Sequence, residues 1–149
     1  MLFLVFQIGA NRYGLEAREL IEVLPLLNLT AIPKVPRGIA GVFNYHGTLV
    51  PAIDLSELLL GRPAQSLLST RLVVAKFVDG AGTLRLLGLI VERAGAVANL
   101  DAAQFRKVGI SNVGAPYLGP VAVDESGLIQ WVDVDELLPA SVQTLLFES

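Results

Sequence analysis

The feature that most constrains this fold is a succession of short apolar runs, rich in β-branched residues, that turn residues interrupt. The first run, residues 2–8, is apolar almost throughout and therefore predicts a buried strand. Runs separated by Gly, Asn and Asp are typical of antiparallel hairpins. The hairpins predicted in this way pair residues 2–8 with 13–16, 71–78 with 86–91, and 117–123 with 128–134. The chain is therefore expected to be all-β.

A further hairpin is predicted around residues 44–47, and its second strand contains Pro51. Because proline has no N–H to give to a ladder, this strand is expected to lie at a sheet edge or to carry a bulge. Asp54 or Ser56 can then cap a short helix that ends at Gly61. Residues 17–24 fit either a helical turn or a strand, and the sequence leaves these two alternatives open.

An internal echo relates two distant parts of the chain. Ile-Asp-Leu-Ser-Glu-Leu-Leu at 53–59 resembles Val-Asp-Val-Asp-Glu-Leu-Leu at 132–138, and a turn ending in Gly precedes each strand. The echo is either a chance similarity between two strand-to-helix junctions or the mark of two related β lobes. It favours two small barrels over one sandwich. After the second copy, a C-terminal helical segment opens at Leu137 and Leu138 and is interrupted by Pro139.

Composition excludes several classes of function. The chain has 149 residues, which suits one compact domain, and its 53% hydrophobic content leaves apolar surface available for a partner. Its net charge of −3, without a basic cluster, argues against nucleic acid as a partner. No apolar stretch reaches the roughly 20 residues that a spanning helix needs. The absence of cysteine excludes disulfides and thiolate chemistry, and it fits a reducing cytoplasm.

No residue pattern predicts catalysis. The chain has one histidine, His46, in an expected turn, and its paired carboxylates lie where acids cap helices. A single histidine cannot form a His-rich metal site, and Gly80-Ala81-Gly82 precedes a strand where a phosphate cradle needs a helix. We therefore expect no enzymatic activity, no cofactor and no metal. The alternatives are a free-standing barrel that binds a small ligand or an enzyme of unfamiliar type.

An ordered set of motifs from about Leu2 to Leu138 resembles the CheW family, the scaffold proteins of bacterial chemosensory arrays. The central family motif, Gly-Val-x-Asn-x-Arg-Gly followed by Pro-x-x-Asp-Leu, has counterparts at 41–47 and 51–55. The other matching segments are residues 6–9, 13–15 and 21–23, the prolines at 33 and 36, residues 88–92 and residues 128–138. Each piece is weak alone, but the pieces occur in the family's order.

The resemblance implies a single domain over 1–149, built of two packed SH3-like five-stranded β-barrels with short helical connectors. The first lobe is expected at roughly 10–65 with a later crossing strand, and the second at roughly 70–138. The resemblance also implies a cytoplasmic scaffold, recruited to membrane-associated receptor arrays. Its implied partners are the regulatory domain of a CheA-type histidine kinase and the cytoplasmic tip of a methyl-accepting chemoreceptor. The partner-binding residues implied by the family are Leu20, Glu22, Gly41, Asn44, His46 and Gly47.

His46 is the main departure from the family pattern, which has Arg at that position. Arginine is always charged and grips a carboxylate with two parallel bonds, whereas histidine is shorter and mostly neutral at pH 7. The substitution suggests a matched kinase and receptor, as in a Wsp-type surface-sensing pathway. Gly41 can alternatively be a backbone requirement, Leu20 a core residue and Glu22 a solvated charge.

Overall fold

The computed structural model describes residues 1–95, 97–107 and 114–147. Within these ranges the chain forms eleven strands and two α-helices. Three single turns of 3₁₀-helix lie at residues 17–19, 102–104 and 134–136. The elements are β1 (Leu2–Ile8), β2 (Asn11–Glu16), β3 (Leu20–Pro25), β4 (Ile39–Tyr45), β5 (Thr48–Asp54), α1 (Leu55–Leu60), β6 (Arg71–Val78), β7 (Leu84–Val91), β8 (Val97–Asn99), β9 (Phe105–Arg106), β10 (Leu118–Asp124), β11 (Gly127–Val132) and α2 (Ala140–Phe147).

The strands form two sheets, which confirms the predicted all-β, two-lobed architecture. Sheet 1 has the order β8-β1-β2-β11-β10-β9, and sheet 2 has the order β3-β6-β7-β5-β4. The four predicted hairpins are present as β1–β2, β4–β5, β6–β7 and β10–β11. In the described part of the chain, sheet 1 has six strands because the short β8 and β9 extend its two edges.

The two sheets share one plan of strand pairing. In each sheet, two antiparallel hairpins are joined by one parallel pair, β2–β11 in sheet 1 and β7–β5 in sheet 2. Trp131 lies opposite Gly14, and Ala52 lies opposite Gly88. Trp131 and Ala52 therefore hold equivalent positions in the parallel pairs of the two sheets. Two residues further along the chain from them are Asp133 and Asp54, and the sequence echo aligns these same two residues. The echo therefore marks two structurally related lobes.

Both copies of the echo end their strand with the same cap. Asp54 Oδ1 accepts a hydrogen bond from the Ser56 N–H at 3.0 Å, at the start of α1. Asp133 Oδ1 accepts one from the Asp135 N–H at 3.1 Å, at the start of a 3₁₀ turn. A carboxylate in this position satisfies N–H groups that have no partner inside the helix. The second copy does not grow into a longer helix, since α2 begins only at Ala140, after Pro139.

The sheets divide the chain differently from the predicted lobes, at roughly 10–65 with a later crossing strand and at roughly 70–138. The β6–β7 hairpin lies in sheet 2 beside the hairpin that precedes it, whereas sheet 1 joins the β1–β2 hairpin to β10–β11. Each hairpin is specified by local turn chemistry, but the parallel pairing between hairpins is long-range. Sequence spacing alone does not reveal it.

Both faces of the inner strands are buried, and this explains the continuous apolar runs. A central core between the sheets takes Leu4 and Phe6 from β1, together with Val73 and Phe77 from β6. The alternate residues of the same strands fill a small core inside each lobe. These smaller cores contain Phe3, Leu100, Ala122 and Ile129 in sheet 1, and Phe43, Val50, Ala52, Leu72, Val74 and Ile90 in sheet 2.

The prediction for Pro51, an edge strand or a bulge in its own strand, is wrong. β5 lies inside sheet 2 between β7 and β4, and the irregularity falls in β4, between Ile39 and Gly41. Val42, opposite Pro51, directs both its N–H and its C=O to Thr30, at 2.9 Å each. Val42 and Pro51 therefore form a non-hydrogen-bonded pair of the antiparallel ladder. Because such a pair exchanges no backbone hydrogen bonds, the missing N–H of Pro51 removes no bond to β4.

Residues 17–24 combine the two alternatives that the sequence left open. Residues 17–19 form a single 3₁₀ turn, and β3 begins directly after it at Leu20. β3 pairs with β6 and forms one edge of sheet 2. Its side chains are exposed or half-buried. This edge lies close to the turn of the β4–β5 hairpin.

Candidate partner-binding surface

The β4–β5 hairpin reverses in the smallest possible turn. Tyr45 pairs with Thr48, so only His46 and Gly47 connect the strands. Both have positive φ, 51° for His46 and 88° for Gly47. This is the conformation of a type I′ turn, whose twist matches that of the flanking strands. Asn44 Oδ1 accepts a hydrogen bond from the Gly47 N–H at 2.7 Å and fixes the turn further.

Glu22 on β3 is tied to this turn by one hydrogen bond. The Tyr45 hydroxyl donates to Glu22 Oε1 at 2.6 Å. This bond raises the pKa of the Tyr45 hydroxyl, because a phenolate could no longer donate it. β3 and β4 are the two edge strands of sheet 2, so the bond links edges that three strands separate in the sheet order. The bridge between Thr30 and Val42 adds a second link, because it joins β4 to the segment that follows β3 in the chain.

The His46 ring packs edge-on against Tyr45, with ring centroids 4.5 Å apart and planes inclined at 72°. Tyr45 itself packs against the inner core of sheet 2. The structure therefore brings together four of the predicted site residues, which are Glu22, Asn44, His46 and Gly47. We call these residues and Tyr45 the hairpin surface.

Exposed apolar side chains also occur on the strands that carry the hairpin surface. Ile21 and Val23, the neighbours of Glu22 on β3, are 45% and 44% exposed. Leu49, which lies opposite Asn44 in the hairpin, is 71% exposed. Exposed aliphatic side chains supply apolar area that a protein partner can bury. The hairpin surface is therefore suited to contact a folded partner.

The two remaining predicted residues lie deeper in the lobe. Gly41 is buried with φ of 147°, and a Cβ there would overlap the carbonyl oxygen of Thr30. The structure gives Gly41 a backbone role, that of letting β4 approach residue 30. Leu20 is half-buried and packs against the central core. A direct partner contact by either residue stays a prediction.

Tyr45 is the member of this surface that the sequence does not single out. It occupies the variable position of the central motif, between Asn44 and His46. Its partner Glu22 lies 23 residues away. The only signal available in the sequence is the combination of a hydroxyl-bearing side chain at the turn and an isolated acid on an edge strand.

The buried ionisable groups near α1 serve the fold. Burial raises the pKa of Asp54, although N–H groups of Ala64, Glu57 and Ser56 oppose the shift. Burial also acts to raise the pKa of Glu92, but the Gln65 N–H and other donors outweigh it, so that this pKa is lowered. Through these bonds the two carboxylates hold the loop between α1 and β6 against sheet 2.

The described residues hold no group of three or more His, Asp or Glu side chains placed to bind a metal ion. A cleft of about 240 Å³ between the lobes is lined mainly by aliphatic residues, with Tyr117 its one aromatic side chain in the described ranges. A small-ligand module needs a better-formed pocket with several converging polar groups. In residues 1–95, 97–107 and 114–147, no helix is both long and apolar enough to span a membrane.

The fold defines a class of protein: a two-lobed all-β domain, in which the hairpin surface is the candidate contact site for a partner. The model of the CheW-like domain family matches residues 2–142 of this chain. The chain therefore belongs to the CheW-like domain family.

Named relatives agree with this assignment. The "Chemotaxis protein CheW" of Klebsiella aerogenes is 26% identical over 146 residues, which cover 97% of this chain and 85% of that protein. "Protein FrzA" of Myxococcus xanthus is 29% identical over 133 residues, 86% of this chain and 73% of that protein. The crystal structure of the scaffolding protein TtCheW from Thermoanaerobacter tengcongensis shares the fold with a TM-score of 0.81. It is 21% identical and covers 95% of this chain and 89% of that one.

Family membership confirms the predicted function at the level of a non-catalytic coupling adaptor in chemotaxis signalling. It also confirms the resemblance drawn from the ordered motifs and the prediction that the chain is not an enzyme. Proteins of this family couple chemoreceptors to CheA in chemosensory arrays. The alternative of a free-standing small-ligand module finds no support among these relatives.

Proposed function

We propose that this chain holds the regulatory domain of a CheA-type kinase against the cytoplasmic tip of a methyl-accepting chemoreceptor, with the hairpin surface as one contact. The observation that carries the proposal is the Tyr45–Glu22 bond of 2.6 Å, which gathers residues from two edge strands into one surface. A receptor change can then bias the kinase through the geometry of the complex. In the cell, the adaptor would lie in the cytoplasm and be recruited to membrane-associated arrays by the receptor.

A preformed surface is what a scaffold needs. The type I′ turn, the Asn44–Gly47 bond and the Tyr45–Glu22 bond fix the hairpin surface before any partner arrives. Ordering a mobile segment during binding would cost affinity, and here that cost is already met in folding. The exposed side chains of Ile21, Val23 and Leu49 supply apolar area that a partner can cover.

Leu20 and Gly41 support this surface from within in the proposed arrangement. Leu20 anchors the start of β3 on the central core. Gly41 lets β4 pair closely with residue 30 and so holds the hairpin in position. Substitution of either residue is expected to reduce partner binding mainly by displacing the hairpin surface.

The test is a binding measurement with purified components. The wild-type chain is titrated with the regulatory-domain fragment of its genomically nearest kinase and, separately, with the signalling fragment of the nearest receptor. We expect binding to both, and Glu22→Lys should weaken at least one of them about tenfold or more, as charge reversal at a contact does. Glu125→Lys is the matched control, because Glu125 is an exposed acid in the turn of the corresponding sheet 1 hairpin.

Two results would contradict the proposal. Failure of the folded wild-type chain to bind either fragment would remove the coupling function. Equal weakening of binding by Glu22→Lys and Glu125→Lys would show a general charge effect. It would mean that the hairpin surface is not the contact site. Thermal unfolding of each variant checks that it is folded.

The surface-sensing pathway suggested by His46 stays a proposal with its own test. If His46 matches this chain to particular partners, then His46→Arg should shift its preference toward the kinase of a flagellar chemotaxis system. The measurement is the ratio of affinities for the two kinases before and after the substitution. An unchanged ratio would leave the pathway proposal without physical support.

A further inference from the structure

Tyr45 stands in the middle of the hairpin surface and contacts residues on both sides of it. Its hydroxyl donates to Glu22 at 2.6 Å, and its ring packs against His46, with centroids 4.5 Å apart. Its half-buried ring also lies near Phe43 in the core of sheet 2, with centroids 6.5 Å apart. A side chain held by the core can hold its neighbours in turn.

The Glu22 carboxylate is left with unused hydrogen-bonding capacity. It accepts one hydrogen bond, through Oε1, from Tyr45. Among the described residues, no Lys, Arg or His side chain lies within 4.0 Å of it. An ionised carboxylate can accept about four hydrogen bonds, so Glu22 can take a cation from outside while Tyr45 holds it.

We propose that Tyr45 is a positioning residue that fixes the Glu22 carboxylate to receive a basic side chain, Arg or Lys, of the partner bound at the hairpin surface. This inference rests on the proposed function and identifies the chemistry of that contact. A free glutamate on an edge strand samples several rotamers, and immobilising it during binding costs affinity. The Tyr45 hydroxyl removes part of that cost in advance, and because it bonds to Oε1, it leaves Oε2 for the partner.

A purely structural role for Tyr45 makes a different prediction. If the bond served only to close the sheet edges, its loss would lower stability and would weaken binding whatever residue stood at position 22. A positioning role requires the effect of Tyr45 to depend on the charge of Glu22. Double-mutant cycles separate these two cases.

The experiment is a cycle of four full-length proteins: wild type, Tyr45→Phe, Glu22→Gln and the double variant. Each is titrated at two salt concentrations with the fragment, kinase or receptor, whose binding Glu22→Lys weakens. Tyr45→Phe is expected to weaken binding about two- to fivefold, the range measured for exposed charged pairs. In the Glu22→Gln background, the same substitution should change affinity less than about 1.5-fold. Glu22→Gln should also reduce the salt dependence of binding, because a basic partner group loses its counter-charge.

Tyr13→Phe is the matched control. Tyr13 is a tyrosine of sheet 1 that stacks on Phe6, away from the hairpin surface, and its substitution should leave the affinity unchanged. An equal loss from Tyr45→Phe in both backgrounds would overturn the positioning role, as would no loss in the wild-type background. If Glu22→Lys weakens binding but Tyr45→Phe does not, this inference fails and the coupling function stands. If the wild-type chain binds neither fragment, both fail together.

Discussion

Replacing Gly41 by alanine tests whether this predicted site residue acts through the backbone. Gly41 has φ of 147°, a conformation that costs a residue with a side chain about 1–3 kcal/mol. The added methyl group would overlap the Thr30 carbonyl oxygen and would lie 2.9 Å from its carbon. Forcing a group into filled space costs about 1–3 kcal/mol more. We therefore expect Gly41→Ala to lower the free energy of unfolding by about 2–6 kcal/mol.

The assay is urea unfolding followed by tryptophan fluorescence, which Trp131 alone reports. At an m value of about 2 kcal/mol per M, the expected loss moves the unfolding midpoint down by about 1–3 M urea. Gly47→Ala is the matched control. Gly47 also has positive φ, 88°, but a Cβ there would meet no described atom within 4 Å. It should therefore show the backbone strain alone, about 1 kcal/mol.

One result would refute this reasoning. If Gly41→Ala unfolds within about 0.5 kcal/mol of wild type and still loses partner binding, Gly41 is a direct contact, and the Thr30 overlap is irrelevant. If Gly41→Ala and Gly47→Ala lose the same stability, the close approach of β4 to residue 30 contributes nothing.

Three further predictions concern stability. The Arg12 guanidinium, bonded to Asp124 at 2.7 and 2.8 Å, lowers the pKa of that carboxyl to about 2. The ion pair therefore stabilises the fold above about pH 4, and this stabilisation is lost as the pH falls toward 2 and Asp124 becomes protonated. Wild type and Asp124→Asn should accordingly differ in unfolding midpoint at about pH 5 and converge near pH 2. Phe77→Ala, in the central core against Phe147, should cost about 3–5 kcal/mol by calorimetry, and a loss below 1 kcal/mol would contradict the packing. Asp54→Ala leaves three N–H groups without their acceptor and should cost about 1–3 kcal/mol, with faster amide exchange at Ala64; unchanged exchange would contradict its role in holding the loop.

The local parts of the fold could be predicted from the sequence because their causes are local. The hairpins follow from apolar runs around Gly-containing turns. The α1 cap follows from Asp54, and the C-terminal end of α1 follows from Gly61, which adopts φ of 75°. The division into lobes could not be predicted, because it depends on parallel pairs that join β2 to β11 and β5 to β7. Each of these strands is buried on both faces, so its apolar pattern does not reveal its neighbour.

The candidate site shows the same limit. The turn at 44–47 follows from Asn44 and Gly47, residues that favour a tight hairpin. The Tyr45–Glu22 bond depends on two edge strands of one curved sheet coming together, and nothing within either segment indicates this. Gly41 illustrates the reverse difficulty, since a motif glycine can serve either a partner or the backbone. Only the position of the Thr30 carbonyl distinguishes the two roles.

The central claim is that this chain joins a kinase to a receptor, and co-sedimentation tests it most directly. The kinase is mixed with vesicles that carry the receptor signalling fragment, with and without the wild-type chain. The account predicts that the kinase sediments substantially only when the chain is present, and that Glu22→Lys reduces the sedimented fraction while Glu125→Lys does not. Sedimentation of the kinase to the same extent without the chain, or no sedimentation with it, would contradict the account.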